Sequence, residues 1–285
     1  MSTVSEFPCD LCGEIQTVEV PYSKLYTLNN DSIHICVNCG FVYVKYRRSA
    51  EEIARTWSED IYGKGYTARI PLVKARQMYV ADFIDVNVNL KDKFLVDIGA
   101  GEGQFLEIAR DEYGANVFGI EPSLTNCNNL HSNGFDCFHG TIEKYAADGN
   151  IKHADIVTIM WTLENCMSCT GMMKTAYSVV KESGYVAVAT GSRLLVPFKK
   201  PLHYYLGKFS QLDTHSFRFS ANTLQGLLAV SGFKPVFINR YIDTDWLVAI
   251  GQKQPEGTKI DWKGDDYIKV ADFFERWHHE TIHYR

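Results

Sequence analysis

Four of the eight cysteines form two pairs whose spacing is suited to metal binding. Cys9 and Cys12 make one C-x-x-C pair, and Cys36 and Cys39 make the second. Each pair can present two thiolates on one side of a tight turn, and two pairs complete the tetrahedral set that a structural zinc ion prefers. The sequence therefore predicts a structural Zn²⁺ held by these four cysteines, with nearby His34 on a strand surface and not a ligand.

A second group with chemical potential is a glycine-rich loop that follows a short apolar run. Residues 93–98 are typical of a buried strand, glycines follow at positions 99, 101 and 103, and a helical pattern begins at Gln104. Strand, glycine loop and helix form the first unit of a doubly wound sheet. Such a loop brings backbone amides close to a ligand, so we expect a cofactor there.

Two acidic residues frame this loop. Asp97 lies two residues before the first glycine, and Glu121 ends the next predicted strand, where a carboxylate can accept hydrogen bonds from a ribose diol. The glycine spacing differs from the G-x-G-x-x-G of dinucleotide-binding loops, which disfavours the alternative of a dinucleotide-dependent oxidoreductase.

The remaining pattern predicts an α/β protein. Helical patterns cover residues 50–60, 71–85, 104–110 and 220–231, and strand patterns cover 93–98, 115–120, 135–138, 154–160, 184–190, 234–239 and 246–250. We expect a Rossmann-like seven-stranded domain preceded by a small zinc-ribbon module. The predicted divisions are 1–62 for the ribbon and its following helix, 63–255 for the cofactor-binding domain, and 256–285 for a C-terminal helical tail.

Composition narrows the functional classes. The 285 residues are 46% apolar and 22% charged, which is typical of a globular chain and not of a disordered or membrane-spanning one. The net charge of −5 disfavours a nucleic-acid partner. The first residues lack the basic and apolar regions of a secretory signal, so we expect a cytoplasmic protein whose thiols stay reduced.

Asp97, the three glycines and Glu121 together resemble the class I S-adenosylmethionine-dependent methyltransferases. The resemblance implies that the glycines make room for the methionine part of the cofactor, that Asp97 stands near its ammonium group, and that Glu121 holds the ribose hydroxyls. The cofactor-binding residues it implies are Asp97, Gly99, Gly101, Gly103, Glu121, Pro122, Thr141, Ile142, Met160 and Trp161.

The combination of modules resembles one subgroup of that family more closely. Two C-x-x-C pairs followed by Cys39–Tyr43, Ser49–Glu52 and the Tyr62–Tyr66 link are similar to the zinc-containing sugar C-methyltransferases. In that subgroup a histidine-rich segment supplies the base, and His215 takes that position here. The flanking residues differ from the subgroup pattern, with Asp213 and Thr214 in place of a histidine and a glutamate. O-methylation therefore stays open beside C-methylation, and N-methylation is not excluded.

The loop after the fifth predicted strand is rich in cations and aromatics, as a site for a phosphorylated or nucleotide-linked sugar would be. The predicted substrate-binding residues are Glu164, Arg193, Lys199, His203, Tyr204 and Arg218, with His215 as the predicted catalytic base. The expected partner is a small carbohydrate-type molecule, without nucleic acid or membrane insertion, and the oligomeric state is open.

Two alternative functions remain at this point. One is RNA methylation, which the acidic net charge and the lack of a basic stripe disfavour. The other is a non-catalytic cofactor-binding scaffold, which would have no need of the intact loop. Cys166 and Cys169 form a third C-x-x-C pair without a partner pair, and the C-terminal histidines fall on an amphipathic helix expected to dock on the body or on another subunit. Neither group predicts a metal site.

Overall fold

The computed structural model describes residues 5–27, 32–191, 193–207, 215–242, 244 and 246–284. The N-terminal module contains β1 (Ser5–Glu6), β2 (Thr17–Glu19), α1 (Ser23–Tyr26), β3 (Ile33–Cys36), β4 (Val42–Val44), β5 (Tyr46–Arg47) and α2 (Ala50–Arg55). Strands β2, β3 and β4 form an antiparallel sheet, and β1 pairs with β5. Ser49 is the N-cap of α2, and it forms a reciprocal capping box with Glu52.

The helix after the ribbon is shorter than predicted. Instead of continuing regularly to about residue 60, α2 gives way to a π-helical turn, Thr56–Ile61, and a 3₁₀ turn, Tyr62–Lys64. The wider turn places the rings of Trp57 and Tyr62 6.1 Å apart. π-Helical turns occur frequently at functional sites, and this one brings Tyr62 to the glycine loop.

The large domain alternates strands and helices. Its elements are α3 (Pro71–Val88), β6 (Phe94–Ile98), α4 (Gln104–Asp111), β7 (Asn116–Glu121), α5 (Leu124–Ser132), β8 (Cys137–His139), α6 (Ile142–Ala147), β9 (Ala154–Met160), α7 (Cys169–Val179), β10 (Val180–Thr190), α8 (Leu202–Tyr205), β11 (Phe217–Arg218), α9 (Ala221–Val230), β12 (Phe233–Ile238), β13 (Leu247–Lys253) and α10 (Tyr267–Thr281). Within the described ranges, no helix has the length and apolarity that crossing a bilayer requires.

The predicted fold class is confirmed. Seven strands form one sheet in the order β12-β13-β10-β9-β6-β7-β8. The pairs β8–β7, β7–β6, β6–β9 and β9–β10 are parallel. Strand β13 is antiparallel to both of its neighbours, β10 and β12. The chain leaves β6 toward one edge and returns to β9 on its other side, so the carboxyl ends of β6 and β9 flank a switch point where open α/β sheets bind ligands.

Two strands of the large sheet begin more than one residue away from their sequence-based starts. The third strand of the sheet begins at Cys137 and not at Phe135, because the Phe135 amide closes the end of α5 by donating to the Leu130 carbonyl. The fifth strand begins earlier than predicted, at Val180, because its first residues pair with β9 before a register shift. Neither difference moves the carboxyl ends of the strands, where the candidate site lies.

Short strand β11 was not predicted. It pairs antiparallel with β4, so the N-terminal sheet has the order β11-β4-β3-β2 and takes its edge strand from the large domain. The C-terminal helix α10 packs on β3 and α8 through Val270, Phe274 and Trp277. The divisions at 62/63 and 255/256 stay predictions, and these contacts cross both of them.

Candidate functional site: a cofactor loop and a cysteine cluster

The four predicted metal ligands come together. Their sulfur atoms all lie within 4.8 Å of one another. The Cys9–Cys39 and Cys12–Cys36 sulfurs are 3.5 Å apart, near the roughly 3.8 Å expected between thiolates on a tetrahedral zinc with Zn–S bonds of about 2.3 Å. His34 instead hydrogen-bonds Thr17 and Ser32, which agrees with its predicted non-ligand role. The donor set fits a closed, structural zinc site.

The glycine loop has the backbone that its sequence predicts. Gly99, Gly101 and Gly103 all have positive φ angles, of 75°, 54° and 78°. Side chains are disfavoured in this region, so alternating glycines are needed. A Cβ atom added to Gly99 would lie 2.4 Å from the Thr162 hydroxyl, and one added to Gly101 would lie 3.0 Å from the Tyr62 hydroxyl. The side chains of Thr162 and Tyr62 thus approach the loop backbone closely, at Gly99 and Gly101 respectively.

Asp97 is a buried carboxylate at the carboxyl end of β6. It is 1% exposed, and its Oδ1 accepts a 2.7 Å hydrogen bond from the Thr158 hydroxyl on the neighbouring strand. Burial raises the pKa of this carboxyl to about 7, the Thr158 hydrogen bond lowers it, and nearby Glu121 raises it further. A positively charged ligand group placed beside Asp97 would favour its ionised form.

Glu121 connects the second strand to the glycine loop. Its two carboxylate oxygens each accept a 2.8 Å hydrogen bond, Oε2 from the Gly101 amide and Oε1 from the Ser123 amide. Burial raises the pKa of this carboxyl, and the two amide donors oppose that shift. Because each oxygen has two lone pairs, the carboxylate keeps acceptor capacity for ligand hydroxyls.

The other predicted cofactor residues lie at the ends of β7, β8 and β9. Pro122 accepts a hydrogen bond from His139, Thr141 caps α6, and Ile142 is buried in the core. Met160 ends β9 and is followed by Trp161, whose φ of 55° is unusual for a bulky side chain. Such strained backbone concentrates at functional sites.

Arg76 on α3 is a candidate residue that the sequence reasoning missed. Its guanidinium carbon lies 4.1 Å from the Trp161 ring centre and 4.6 Å from that of Trp246, whose rings are nearly perpendicular. Its buried Nε has no hydrogen-bond partner among the residues that the structure describes. Burial lowers the pKa of Arg76, and Glu164 raises it. The aromatic rings thus hold a cation whose donors remain for an anionic group.

Glu164 is a predicted substrate residue that acts electrostatically on Arg76. It is 1% exposed, and its Oε1 accepts a 3.2 Å hydrogen bond from the Gly191 amide. The buried Oε2 has no partner in the described part of the chain. A Cβ on Gly191 would contact both Trp161 and Trp246, so Gly191 adjoins the two indoles as well as the Glu164 carboxylate.

Arg193 and Lys199 lie on one aromatic side chain. Their cationic groups are 5.8 Å and 4.9 Å from the Tyr241 ring centre. Arg193 also donates to the side-chain oxygen of Asn239, whose amide nitrogen donates to the Trp246 carbonyl. Asn239 therefore links Arg193 to the backbone of Trp246.

The remaining predicted substrate residues are placed differently. His203 and Tyr204 lie on α8, which contacts α1 and α10, and the His203 ring is 5.9 Å from that of Tyr26. Arg218 is 2% exposed within β11 and donates to the His215 carbonyl. These contacts belong to the junction between the N-terminal module and the large domain.

His215 lies directly before β11. The next amide, that of Ser216, donates a 2.7 Å hydrogen bond to the Glu164 carbonyl. The backbone of the predicted base is thereby anchored to the turn that carries Glu164. Asp213 and Thr214, which distinguish this segment from the subgroup pattern, lie outside the described residues.

Sequence comparison identifies a family. Residues 72–237, more than half of the chain, match the family model described as a methyltransferase domain. No curated protein matches the chain at the level of sequence.

Solved structures show the same fold at low sequence identity. Magnesium protoporphyrin IX methyltransferase from Synechocystis, with bound S-adenosylhomocysteine, has a TM-score of 0.52 at 11% identity, covering 72% of this chain and 99% of that chain. A methyltransferase from Thermotoga maritima gives 0.50 at 20% identity, covering 71% and 99%. A chain in a complex of a methyltransferase activator and a methyltransferase from Haloferax volcanii gives 0.52 at 14% identity, covering 70% and 96%.

The glycine loop, Glu121, the seven-stranded sheet and the family match agree with one another. The chain belongs to the methyltransferase domain family and has the fold of the class I S-adenosylmethionine-dependent methyltransferases.

Proposed function

We propose that this protein transfers the methyl group of S-adenosylmethionine to a small carbohydrate-type acceptor, such as a nucleotide-linked sugar or a polysaccharide precursor. The observation that carries the choice of acceptor is the buried Glu164 carboxylate, whose Oε2 is without a described partner and whose Oε1 binds the amide of Gly191, next to Trp161 and Trp246. A buried acceptor atom is costly unless a ligand donor satisfies it, and a sugar hydroxyl is such a donor. Arg76 lies against both indole rings, so we assign the apolar face of the sugar ring to the indole surface that Arg76 leaves uncovered.

Within this proposal residues at the ends of β6, β7 and β9 would hold the cofactor. The glycine loop would give it room, Asp97 would pair with its ammonium group, and Glu121 would accept hydrogen bonds from its ribose hydroxyls. We assign Arg76 the carboxylate of the cofactor's amino-acid part, because its guanidinium is charged, lies on Trp161 just after β9, and has an Nε without a partner in the described residues. Opposite charges at Asp97 and Arg76 thus match a zwitterionic ligand.

The cofactor supplies an electrophilic methyl group, and the chain must supply geometry and a proton acceptor. The acceptor atom has to be held in line with the methyl group, which is the role we assign to Glu164 and the two indoles. His215 removes the proton from the acceptor hydroxyl or from the carbon beside a sugar ketone, so the same residue serves O- or C-methylation. Its anchorage through Ser216 to the Glu164 carbonyl supports this assignment.

The cations at Arg193 and Lys199 extend the proposed acceptor site. Both lie on Tyr241, and Arg193 connects through Asn239 to the Trp246 carbonyl, so we assign them a phosphate carried by the acceptor, whose sugar reaches Glu164. This arrangement favours an acceptor that bears both hydroxyls and phosphate.

The proposal is tested by incubating the protein and radiolabelled S-adenosylmethionine separately with nucleotide sugars, polysaccharide precursors and RNA. We expect label in a sugar-containing product, and label confined to RNA would contradict the proposed acceptor. Binding of S-adenosylmethionine without transfer to any pool would favour the scaffold alternative. The Glu164→Gln variant should lose transfer while retaining cofactor binding, with exposed Glu143→Gln as the matched control.

A further inference from the structure

The N-terminal module and the large domain share a hydrophobic core. Besides the β4–β11 pairing, the Phe41 ring lies 5.8 Å from that of Phe217 and 5.2 Å from that of Phe219. Cys9 and Cys39 belong to the same buried cluster as Cys169 at the start of α7. The metal-binding cysteines are therefore part of the packing of the large domain.

The first C-x-x-C turn is fastened to the start of α7. Asp10, between Cys9 and Cys12, accepts a 2.6 Å hydrogen bond on its backbone carbonyl from the Thr170 hydroxyl. Its side chain accepts a further one, of 3.2 Å, from Ser168, the N-cap of α7. The conformation of the metal-binding turn and the position of this helix are thus linked directly.

Arg47 completes the connection. It is 2% exposed, and its Nη1 lies 2.7 Å from Asp10 Oδ2 and 2.6 Å from the Met167 carbonyl. Its guanidinium also lies 4.9 Å from the Phe217 ring centre in β11. One buried cation therefore joins the first metal-binding turn, the segment before α7 and the shared strand.

The second C-x-x-C turn holds the other side of the same region. The Cys39 carbonyl accepts a 2.9 Å hydrogen bond from the Asp265 amide, and a Cβ on Gly40 would lie 2.6 Å from the Asp265 carbonyl oxygen. The Asp265 side chain accepts hydrogen bonds from Ser220 and Asn222 at the start of α9. Both turns thus contact segments that adjoin the Glu164 turn and His215.

The glycine loop, β7 and α5 form the cofactor half of the site, and the contacts that hold them differ from those made by the two C-x-x-C turns. The glycine loop hydrogen-bonds β7 through Ile120 and Glu121, and Leu130 on α5 packs beneath Gly103. On this basis we infer that metal binding at the two C-x-x-C turns positions the acceptor side of the site, with Asp10 and Arg47 as the positioning residues. This inference rests on the proposed function for the identity of the acceptor side.

Two cysteines outside the metal cluster serve as internal reporters. Cys169 is fully buried at the start of α7, the part of the helix that contacts the first C-x-x-C turn. Cys127 is 1% exposed and lies on α5, in the cofactor half. After removal of zinc with a chelator, peptide mass spectrometry should show alkylation of Cys169 at least about tenfold faster, with Cys127 still protected. Continued protection of Cys169, or equal exposure of Cys127, would overturn the inference.

A milder perturbation uses the zinc-loaded protein. Thr170→Val removes only the hydroxyl that binds the Asp10 carbonyl, and Thr175→Val is the matched control because that hydroxyl bonds Gly171 within α7 itself. Loss of one hydrogen bond predicts about fivefold faster alkylation of Cys169 in Thr170→Val and no comparable change in Thr175→Val. Equal rates of Cys169 alkylation in the two variants would count against Asp10 as a residue that positions α7.

Ligand binding separates this inference from the proposed function. The zinc-free protein should retain its affinity for S-adenosylhomocysteine within about threefold while methyl transfer falls, and adding zinc should restore transfer. Loss of S-adenosylhomocysteine binding on zinc removal would refute the inference that metal binding affects only the acceptor side of the site. Failure of the zinc-loaded protein to bind it would instead refute the proposed function.

Discussion

The Thr158 hydroxyl lies 2.7 Å from Oδ1 of Asp97, and this is the one protein hydrogen bond recorded for that carboxylate within the described residues. The pair joins the carboxyl halves of the two central strands beneath the glycine loop. Because burial raises the pKa of Asp97 to about 7, the carboxyl is partly protonated near neutrality. The proposed cofactor ammonium requires the ionised form, so ligand binding and proton release are coupled.

The first prediction concerns pH. Since the folded-state pKa of Asp97 lies above its ordinary value, the ionised fraction rises as pH passes through about 7. The affinity for S-adenosylhomocysteine should therefore strengthen by up to about tenfold per pH unit below 7 and level off above about 8. For the unliganded protein the sign is opposite, and the contribution of Asp97 to the free energy of unfolding should fall as pH rises from about 4 through 7.

Calorimetric titration between pH 5.5 and 8.5 measures this dependence. Asp97→Asn should bind more weakly and without the pH slope, while exposed Asp136→Asn should keep the wild-type profile. A slope that persists in Asp97→Asn would show that another group titrates.

The second prediction concerns the shape of the glycine loop. Gly99→Ala and Gly134→Ala both place a side chain at a positive φ, which costs about 1–2 kcal/mol. Only at Gly99 does the new Cβ collide, since it meets Oγ1, Cγ2 and Cβ of Thr162 and no rotation of that side chain relieves all three contacts. We expect Gly99→Ala to lower the free energy of unfolding by at least about 1 kcal/mol more than Gly134→Ala, measured by urea denaturation. Equal losses of unfolding free energy in the two variants would mean that Thr162 moves aside at little cost.

The third prediction concerns Arg76. Arg76→Met should weaken S-adenosylhomocysteine binding by about tenfold or more, because a charge-assisted hydrogen bond to its carboxylate is lost. Binding of 5′-methylthioadenosine, which lacks the amino-acid part, should be unchanged. Exposed Lys74→Met on the same helix is the control. If the binding of both ligands weakened equally, Arg76 would not be the residue that binds the carboxylate of the amino-acid part.

The fourth prediction concerns His215. His215→Asn should reduce methyl transfer by about 10²- to 10⁴-fold, the usual contribution of a general base, with unchanged affinity for S-adenosylhomocysteine. Exposed His153→Asn provides the comparison. Full turnover in His215→Asn would exclude this residue as the base.

Local patterns were sufficient to predict the sheet and the metal cluster. The cysteine pairs act within tight turns, and the alternating glycines meet the positive φ values that only such residues accept readily, so both could be recognised from a few neighbouring positions. The strands of the large sheet are buried apolar runs, and their carboxyl ends were predicted to within one residue at β6, β7, β9 and β10.

Contacts distant in the chain could not be predicted in the same way. Arg76 is an ordinary helix residue until the fold places Trp161 and Trp246 beside it. Strand β11 is two residues long, and it is a strand only because Phe217 meets Tyr43 of the N-terminal module. The same pairing explains why Arg218, predicted to bind substrate, lies buried at the junction.

The most direct test of the cofactor site is a calorimetric titration of S-adenosylhomocysteine into the wild-type protein and Glu121→Gln. Glu121 accepts the Gly101 amide and is assigned the ribose hydroxyls, so the substitution should weaken binding by at least about tenfold. Exposed Glu143→Gln should bind like the wild type. Saturable one-site binding that Glu121→Gln impairs is the predicted result, and absence of binding to the wild type, or equal affinity in Glu121→Gln, would contradict the assignment.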